Sequence, residues 1–517
     1  MSWCLRIGRV AAVAMSGGLL VAGTCSDAGK SVIVAGLCRW LARRGIKVAP
    51  FKSQNMALNS AVTADGEEIG RAQAAQAAAA GIEPEVAMNP ILLKPTGERT
   101  TQVIVRGKPV AWADARSYHE RKGELMDIVM ESLAELRNRF DVVICEGAGS
   151  PAEINLRAND LVNMGLARAA DLPVVVVADI DRGGAFASLY GTLALLEPAD
   201  QALISGFMMN KFRGDVGVLQ PGLDDFQQRT GRPTIGVVPW VRGLWMDVED
   251  SLALEAPRDG AIPPVGTDSI SVAVIRLRWI SNFTDFDALA SEPGVTVRFT
   301  QSPADVASAD LVIVPGSKAT VEDLEWMRTR GLDRALMDRA TKGDPTLGIC
   351  GGYQMFGEQI VDDVESSRGR VDGLGLLPVT TSFAPDKLLD RPRGTAPLHG
   401  DEEVSGYQIR HGRVARYGGV PLFVTDNGDE GAVVGSVSGT SWHGIFECDG
   451  FRRSFLAEVA ERRGLDWVAG TELFADLREA RFDVLADLIE EHCDTDAIER
   501  LIAEGAPAGL PLIGAAA

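Results

Sequence analysis

Histidine is scarce in this chain, five residues in 517, so every candidate imidazole base can be named: His119, His399, His411, His443 and His492. Positive charge is also in deficit. Lys and Arg total 51 against 71 Asp and Glu, and the formal charge of −20 argues against nucleic acid or an anionic membrane as partner. A site for a phosphorylated ligand must therefore be a local cationic pocket. The seven cysteines (Cys4, Cys25, Cys38, Cys145, Cys350, Cys448 and Cys493) are odd in number and include no C-x-x-C pair. That usage fits a reducing cytosol and disfavours a structural zinc. No apolar stretch approaches the roughly 20 residues needed to cross a bilayer. Met1–Ala14 carries Arg6 and Arg9 within its apolar run, which makes a poor signal peptide, and Met15 is a second candidate start. The expectation is a cytoplasmic protein with no nucleic-acid or membrane partner. At 46% hydrophobic and 24% charged residues, the chain is ordinary globular protein, long enough for two or three domains.

Within that frame, Gly348-Ile349-Cys350-Gly351-Gly352-Tyr353-Gln354 is the most informative segment. A residue at a sharp strand-to-helix turn takes a strained backbone conformation, and its neighbours two positions away must be nearly free of side chain. Gly348 and Gly352 meet that demand. A thiol there sits at a helix N-terminus, where the dipole and unpaired N–H groups favour thiolate and can hold an oxyanion. An arbitrary cysteine is more often a core residue; the glycine spacing reverses that for Cys350.

A second signature lies far upstream. Gly23-Thr24-Cys25-Ser26-Asp27-Ala28-Gly29-Lys30-Ser31 follows the apolar strand Leu19–Ala22 and precedes the helical pattern Val32–Leu41. This is a phosphate-binding loop. Its N–H groups wrap a polyphosphate, Lys30 compensates charge, and the Ser31 hydroxyl can ligate Mg²⁺. Its first glycine lies one residue further out than in the common G-x-x-x-x-G-K-[ST] spacing. A ligand-free glycine-rich turn is the alternative, but strand, loop and helix occur in the order that nucleotide binding requires.

Apolar runs alternate with helical patterns through Ile204–Met209, which implies a parallel sheet covered by helices, with ligands at the strand C-termini. Ala256–Asp268, with three prolines, reads as linker. A new alternation begins at Ile270–Ile275 and runs through Leu347–Ile349. The expected fold is α/β with two doubly wound domains: residues 15–250, a linker over 251–268, a second domain over 269–460, and a helical C-terminal segment over 461–517.

Longer motifs carry a family resemblance. These are Pro50-Phe51-Lys52-Ser53-Gln54-Asn55-Met56 with Asn59-Ser60, Glu68-Ile69-Gly70-Arg71-Ala72-Gln73, Met88-Asn89-Pro90 and Leu93-Lys94-Pro95. Glu146–Glu153, Asp179–Gly184, Asn210–Gly214 and Pro315-Gly316-Ser317-Lys318 extend the match. From about Met15 onward the chain resembles the cobyric acid synthases, glutamine-dependent amidotransferases of cobalamin biosynthesis. That resemblance implies a dethiobiotin-synthetase-like P-loop ligase domain fused to a class I glutamine amidotransferase domain.

The family's G-x-C-x-G-x-Q pattern maps onto Gly348, Cys350, Gly352 and Gln354, and its base maps onto His443, expected on a short apolar strand. The chain departs from many class I enzymes in having Ile445, not glutamate, two residues after the histidine. Glu447 is a possible substitute, so the third member stays open beside the Cys350–His443 pair. N–H groups near Gly316 and Gly351 are candidates for the oxyanion hole.

In the ligase half the resemblance implies ATP and Mg²⁺, with no prosthetic group. Gly23, Thr24, Ser26, Gly29, Lys30 and Ser31 form the loop, Lys52 neutralises the transferring phosphoryl group, and Ser31 and Glu146 ligate the metal. For Glu146 a helix-cap role is the alternative, and Asp179 and Asp181 are secondary candidates. The implied partners are glutamine, ATP and a corrinoid polycarboxylate, adenosylcobyrinic acid a,c-diamide, with Arg71 and Arg182 candidates for its pocket. Ammonia would be protonated in open water, so a sheltered passage between facing sites is expected. Three other readings stay open: the a,c-diamide synthase, a non-catalytic ATPase switch with an inert amidotransferase-like module, and a stand-alone glutaminase with a structural P-loop.

Overall fold

The computed structural model describes residues 15–96, 101–113, 122–241, 243–244 and 262–514. Most of the expected linker, residues 251–261, therefore lies outside the described residues, as do Cys4 and His119. Six strands, β1 (Gly17–Gly23), β2 (Val48–Phe51), β3 (Val142–Glu146), β4 (Val174–Asp179), β5 (Ile204–Phe212) and β6 (Thr234–Pro239), form one parallel sheet in the order β6-β5-β4-β1-β3-β2. Both faces are covered, which is why β4 reads as an unbroken apolar run. On β1 the alternation splits the core: Leu20 and Ala22 pack on one side, Leu19 and Val21 on the other. Helix α1 (Lys30–Arg43) covers the second side with Ile33, Leu37 and Leu41.

Between β2 and β3 the chain builds small strands too short to carry a period. Gln54–Met56, Ile91–Pro95, Thr101–Val105 and Lys108–Ala113 form one sheet, and Ser60–Val62 pairs with Glu68–Gly70 in a hairpin. Helix α2 (Arg71–Ala79) leaves that hairpin directly.

The second domain repeats the architecture with β7 (Ile270–Ile275), β8 (Val295–Thr300), β9 (Leu311–Val314), β10 (Thr346–Ile349), β11 (Ala432–Val434) and β12 (Val437–Thr440), ordered β8-β7-β9-β10-β12-β11. All neighbours are parallel except the β11–β12 hairpin at the edge. Helix α3 (Gly351–Phe356) follows β10, and two further four-stranded sheets lie between it and β11.

The C-terminal region divides. Helix α4 (Asp449–Arg463) packs Phe451, Phe455 and Val459 into the second domain's core. Helices α5 (Phe474–His492) and α6 (Thr495–Glu504) return to the first domain, where Phe482, Leu485 and Ile489 of α5 pack against α1, and Ile498 and Leu501 of α6 join the same core beside β1. A Cβ at Gly36 would stand 2.8 Å from the Leu485 carbonyl oxygen, so glycine permits the close approach of α1 and α5. Arg39–Asp483 (2.8 Å) and Arg43–Asp487 (2.6 Å) line the same seam. Among the described residues no helix is long and apolar enough to cross a membrane.

Candidate active sites

Cys350 stands between β10 and α3 with φ 50° and ψ −104°, the left-handed strain expected of a nucleophile elbow. The flanking glycines are sterically required. A Cβ at Gly352 would lie 2.0 Å from the Val314 carbonyl oxygen, and one at Gly348 would lie 2.8 Å from the Tyr353 nitrogen. The Cys350 N–H donates to the Thr440 carbonyl at 2.8 Å, tying the elbow to β12.

His443 comes from beyond the end of β12, not from within a strand, because the chain turns at Ser441 to cross Tyr407. Backbone hydrogen bonds run both ways between Tyr407 and His443, at 3.0 and 2.9 Å, and the two rings stack at 5.3 Å. One ring nitrogen of His443 faces the Cys350 thiol. The other, Nδ1, lies 2.7 Å from Asp285 Oδ2. The Asp285 Oδ1 accepts the Gly444 N–H at 3.0 Å and the Tyr407 hydroxyl at 3.4 Å. Asp285 is thus the third member left open by the sequence. Glu447 turns away and pairs with Arg71 and Arg478.

Burial alone would push the imidazole down, but the Asp285 carboxylate and the Cys350 thiolate outweigh it and raise His443 to about 10. Burial pushes the Cys350 thiol up, and the His443 charge and hydrogen bond overcome that, leaving it below its ordinary value. Each charge favours the other, which disposes the pair toward thiolate and imidazolium. Among the described residues the other histidines are engaged elsewhere: His399 packs edge-on to Phe451, His411 lines the same pocket but binds the Ala384 carbonyl, and His492 ends α5.

The walls of the pocket in front of Cys350 include Ser317, Thr320, Gln354 and Arg410. Gln354 Oε1 accepts from Thr320 Oγ1 at 3.4 Å. Gly316 passes the imidazole closely, since a Cβ there would lie 2.8 Å from His443 Cε1. Gly351 opens α3, so its N–H has no carbonyl one helical turn earlier to bind. One wall belongs to the first domain. Lys94 lines the pocket and donates to Glu68 at 2.7 Å, and Glu68 also pairs with Lys387 of the second domain. Burial drives Lys387 down to about 8 despite that carboxylate.

In the first domain the loop after β1 closes onto α1. Gly29 caps α1 at φ 97°, and a Cβ there would strike Asn210 Nδ2 at 1.9 Å. The Thr24 N–H donates to Val177 at 2.9 Å. Lys30 Nζ reaches the carbonyls of Cys25 (2.9 Å) and Gly149 (3.3 Å), lying across the loop mouth. Glu146 ends β3, which rules out the helix-cap reading, and its carboxylate gathers the neighbouring strand ends. Oε1 accepts from Ser31 Oγ at 2.8 Å and Lys52 Nζ at 3.0 Å, and Oε2 accepts from Gln76 Nε2 at 2.5 Å. Burial raises this carboxyl, but Lys52 and Gln76 more than compensate and hold it low. Ser26 lies on the same loop, and Gly23 packs against the Lys30 side chain.

Other basic and acidic candidates are committed elsewhere. Asp179 pairs with Lys211 and Arg182, Asp181 with Arg213, and Arg182 also with Asp27 at the loop rim. Arg71, at the start of α2, pairs at the domain seam with Glu447. Among the described residues no group of three His, Cys, Asp or Glu side chains forms a metal cluster.

Comparison with known proteins finds a family model over each of the two domains. The CobQ/CobB/MinD/ParA nucleotide binding domain matches residues 19–252, and the CobB/CobQ-like glutamine amidotransferase domain matches residues 271–451. The cobyric acid synthase of Frankia casuarinae is 58% identical, covering 96% of this chain and 99% of its own. That of Streptomyces avermitilis is 58% identical with the same coverage, and that of Rhodococcus jostii is 58% identical over 96% of this chain and 98% of its own. With identity at that level across nearly the full length of both partners, this chain belongs to the cobyric acid synthase family.

Proposed function

We propose that this family member is a cytoplasmic, glutamine- and ATP-dependent ligase. It amidates the b, d, e and g carboxylates of adenosylcobyrinic acid a,c-diamide, giving adenosylcobyric acid. The observation that carries this reading is the Cys350–His443–Asp285 line, with Nδ1 2.7 Å from Oδ2, in a chain whose other half ends a phosphate loop on a buried carboxylate. An inert amidotransferase-like module has no need of a strained cysteine paired with a charged imidazole.

Cys350 thiolate attacks the side-chain carbonyl carbon of glutamine, and the N–H groups of Gly316 and Gly351 hold the oxyanion. The C–N bond breaks as His443 gives its proton to the departing nitrogen, leaving a thioester and ammonia. His443 then takes a proton from water as the oxygen attacks the thioester, releasing glutamate and restoring the ion pair. In the first domain a substrate carboxylate oxygen attacks the γ-phosphorus of ATP and ADP departs. Lys30 and Lys52 offset the charge on the transferring oxygens. Ammonia displaces phosphate from the acyl carbon to leave the amide. Ser31 Oγ and the Glu146 carboxylate, hard oxygen donors 2.8 Å apart, would hold Mg²⁺, which supplies charge stabilisation to the phosphate oxygens when bound.

The test is a paired assay of wild type, Cys350→Ala and Lys30→Ala with the a,c-diamide, ATP and either glutamine or concentrated ammonium. Cys350→Ala is expected to fail with glutamine and work with ammonium, and Lys30→Ala to fail with both. A Cys350→Ala protein that ammonium does not rescue contradicts the division of labour.

A further inference from the structure

The glutaminase triad belongs to the second domain, yet the three segments that surround its imidazole are each held by one short stretch of the first. Asp285 lies in the turn Phe283–Phe286, which Asn282 enters at φ 52°. There the Ser60 N–H donates to Asn282 Oδ1 at 3.0 Å, and the Phe283 N–H donates to Asn59 Oδ1 at 3.2 Å. This reciprocal clasp is buried, with Asn59 1% and Asn282 3% exposed. Glu447, in the turn just after His443, pairs with Arg71 Nη2 at 2.8 Å. The third segment carries Tyr407, which stacks on His443 and packs with Ile409 against Val62.

Residues 59–71 thus touch the Asp285 turn, the His443 turn and the Tyr407 strand. The same stretch continues without interruption into α2, and Gln76, five residues after Arg71, donates to Glu146 in the nucleotide site. At 1.5 Å rise per residue that is about 7.5 Å of rigid helix between the two contacts.

We propose that Asn59 and Arg71 are positioning residues for the glutaminase triad, and that α2 couples their placement to the state of Glu146. The proposal rests on the assignment of Cys350, His443 and Asp285 given above. Its physical basis is that a carboxylate must stay within hydrogen-bond reach of Nδ1 to keep the imidazole charged. The Asp285 turn gets its position from a hydrogen-bonded clasp with the neighbouring domain as well as from its own. A change of partner at Glu146 moves Gln76, and a helix that short and buried moves as a unit.

The experiment uses full-length Asn59→Ala and Arg71→Gln, with Asn59→Asp and Arg71→Lys as conservative controls. Three quantities are read: glutamate release, the pH dependence of Cys350 alkylation by iodoacetamide, and amidation driven by ammonium. Asn59→Ala and Arg71→Gln should lower glutaminase kcat by roughly ten- to a hundredfold with little change in KM, in keeping with the effect of an ångström-scale misplacement. They should move the alkylation profile to higher pH and leave ammonium-driven amidation intact, which also reports that the protein is folded. Asn59→Asp keeps an acceptor for the Phe283 N–H and should recover most of the rate. Adding ATP and Mg²⁺ should shift the alkylation rate of wild type and not that of Gln76→Ala. Wild-type kcat and alkylation profiles in both Asn59→Ala and Arg71→Gln would overturn the positioning role, and equal ATP responses in wild type and Gln76→Ala would overturn the coupling. Glutamate release surviving in Cys350→Ala would instead place the fault in the underlying triad.

Discussion

Asp285→Asn tests the glutaminase chemistry most sharply, because the two carboxylate oxygens have different partners. Oδ1 accepts the Gly444 N–H at 3.0 Å and the Tyr407 hydroxyl at 3.4 Å, while Oδ2 faces His443 Nδ1 at 2.7 Å. An asparagine amide has one accepting and one donating end. A buried backbone N–H left without an acceptor is costly, so the amide oxygen stays with Gly444 and the amide nitrogen faces Nδ1. Nδ1 must then carry the lone pair, and the ring proton moves to the nitrogen facing the thiol. No base is left for Cys350. The imidazole now raised to about 10 returns toward or below its ordinary value, since burial then acts unopposed by the carboxylate.

The same substitution in a nucleophile–histidine–aspartate triad costs about 10⁴ in kcat, so a fall of about 10³ to 10⁴ in kcat/KM for glutamine is expected. The assay is glutamate release, with ammonium-driven amidation as the control. Alkylation of Cys350 adds an independent readout. Without the imidazolium, burial dominates the thiol, and its midpoint should move above the ordinary cysteine value of about 8.5. A variant that keeps glutaminase within about tenfold of wild type, only about 1.4 kcal/mol of barrier, with an unshifted alkylation midpoint would refute this reasoning.

Two further outcomes concern stability. Glu68 is buried between Lys94 and Lys387, and Glu68→Gln leaves two buried ammonium groups without their carboxylate, at a cost of about 3–5 kcal/mol readable as a lower urea midpoint at pH 7. Although burial opposes it, the two lysines hold the Glu68 carboxyl well below the usual range. Its stabilisation is therefore complete above the unfolded value of about 4.3 and is lost as pH falls through the folded one, so the gap between variant and wild type should close only in strong acid. Leu485→Ala opens a cavity under α5 and should cost about 2–5 kcal/mol; a midpoint equal to wild type would show that α5 does not need α1.

What the sequence makes legible is local in origin. The glycines flanking Cys350, Gly348 and Gly352, answer to backbone atoms within five residues or on the adjacent strand, and the phosphate loop is a strand, a turn and a helix in unbroken order. The apolar runs of β4 and β9 likewise declare sheets covered on both faces. Glu146 was also legible, as an acid ending such a run.

Three things depended on tertiary packing. Asp285 is one of 71 acidic residues, 158 positions from His443, and nothing in its own neighbourhood distinguishes it until the one sheet that holds β7 and β12, with β9 and β10 between them, brings the segments that follow those strands together. The amphipathic pattern of α5 promises a buried face without naming a partner, and only the folded chain returns it to α1 past Gly36. The stretch 59–71 stands in the sequence only as family motifs, yet in the fold it contacts the Asp285 turn, Glu447 and Tyr407 of the other domain. Steric and periodic rules act over a few residues and survive in the primary structure. Pairings between distant segments follow from the closure of loops tens to hundreds of residues long, and one chain's pattern leaves many of them possible.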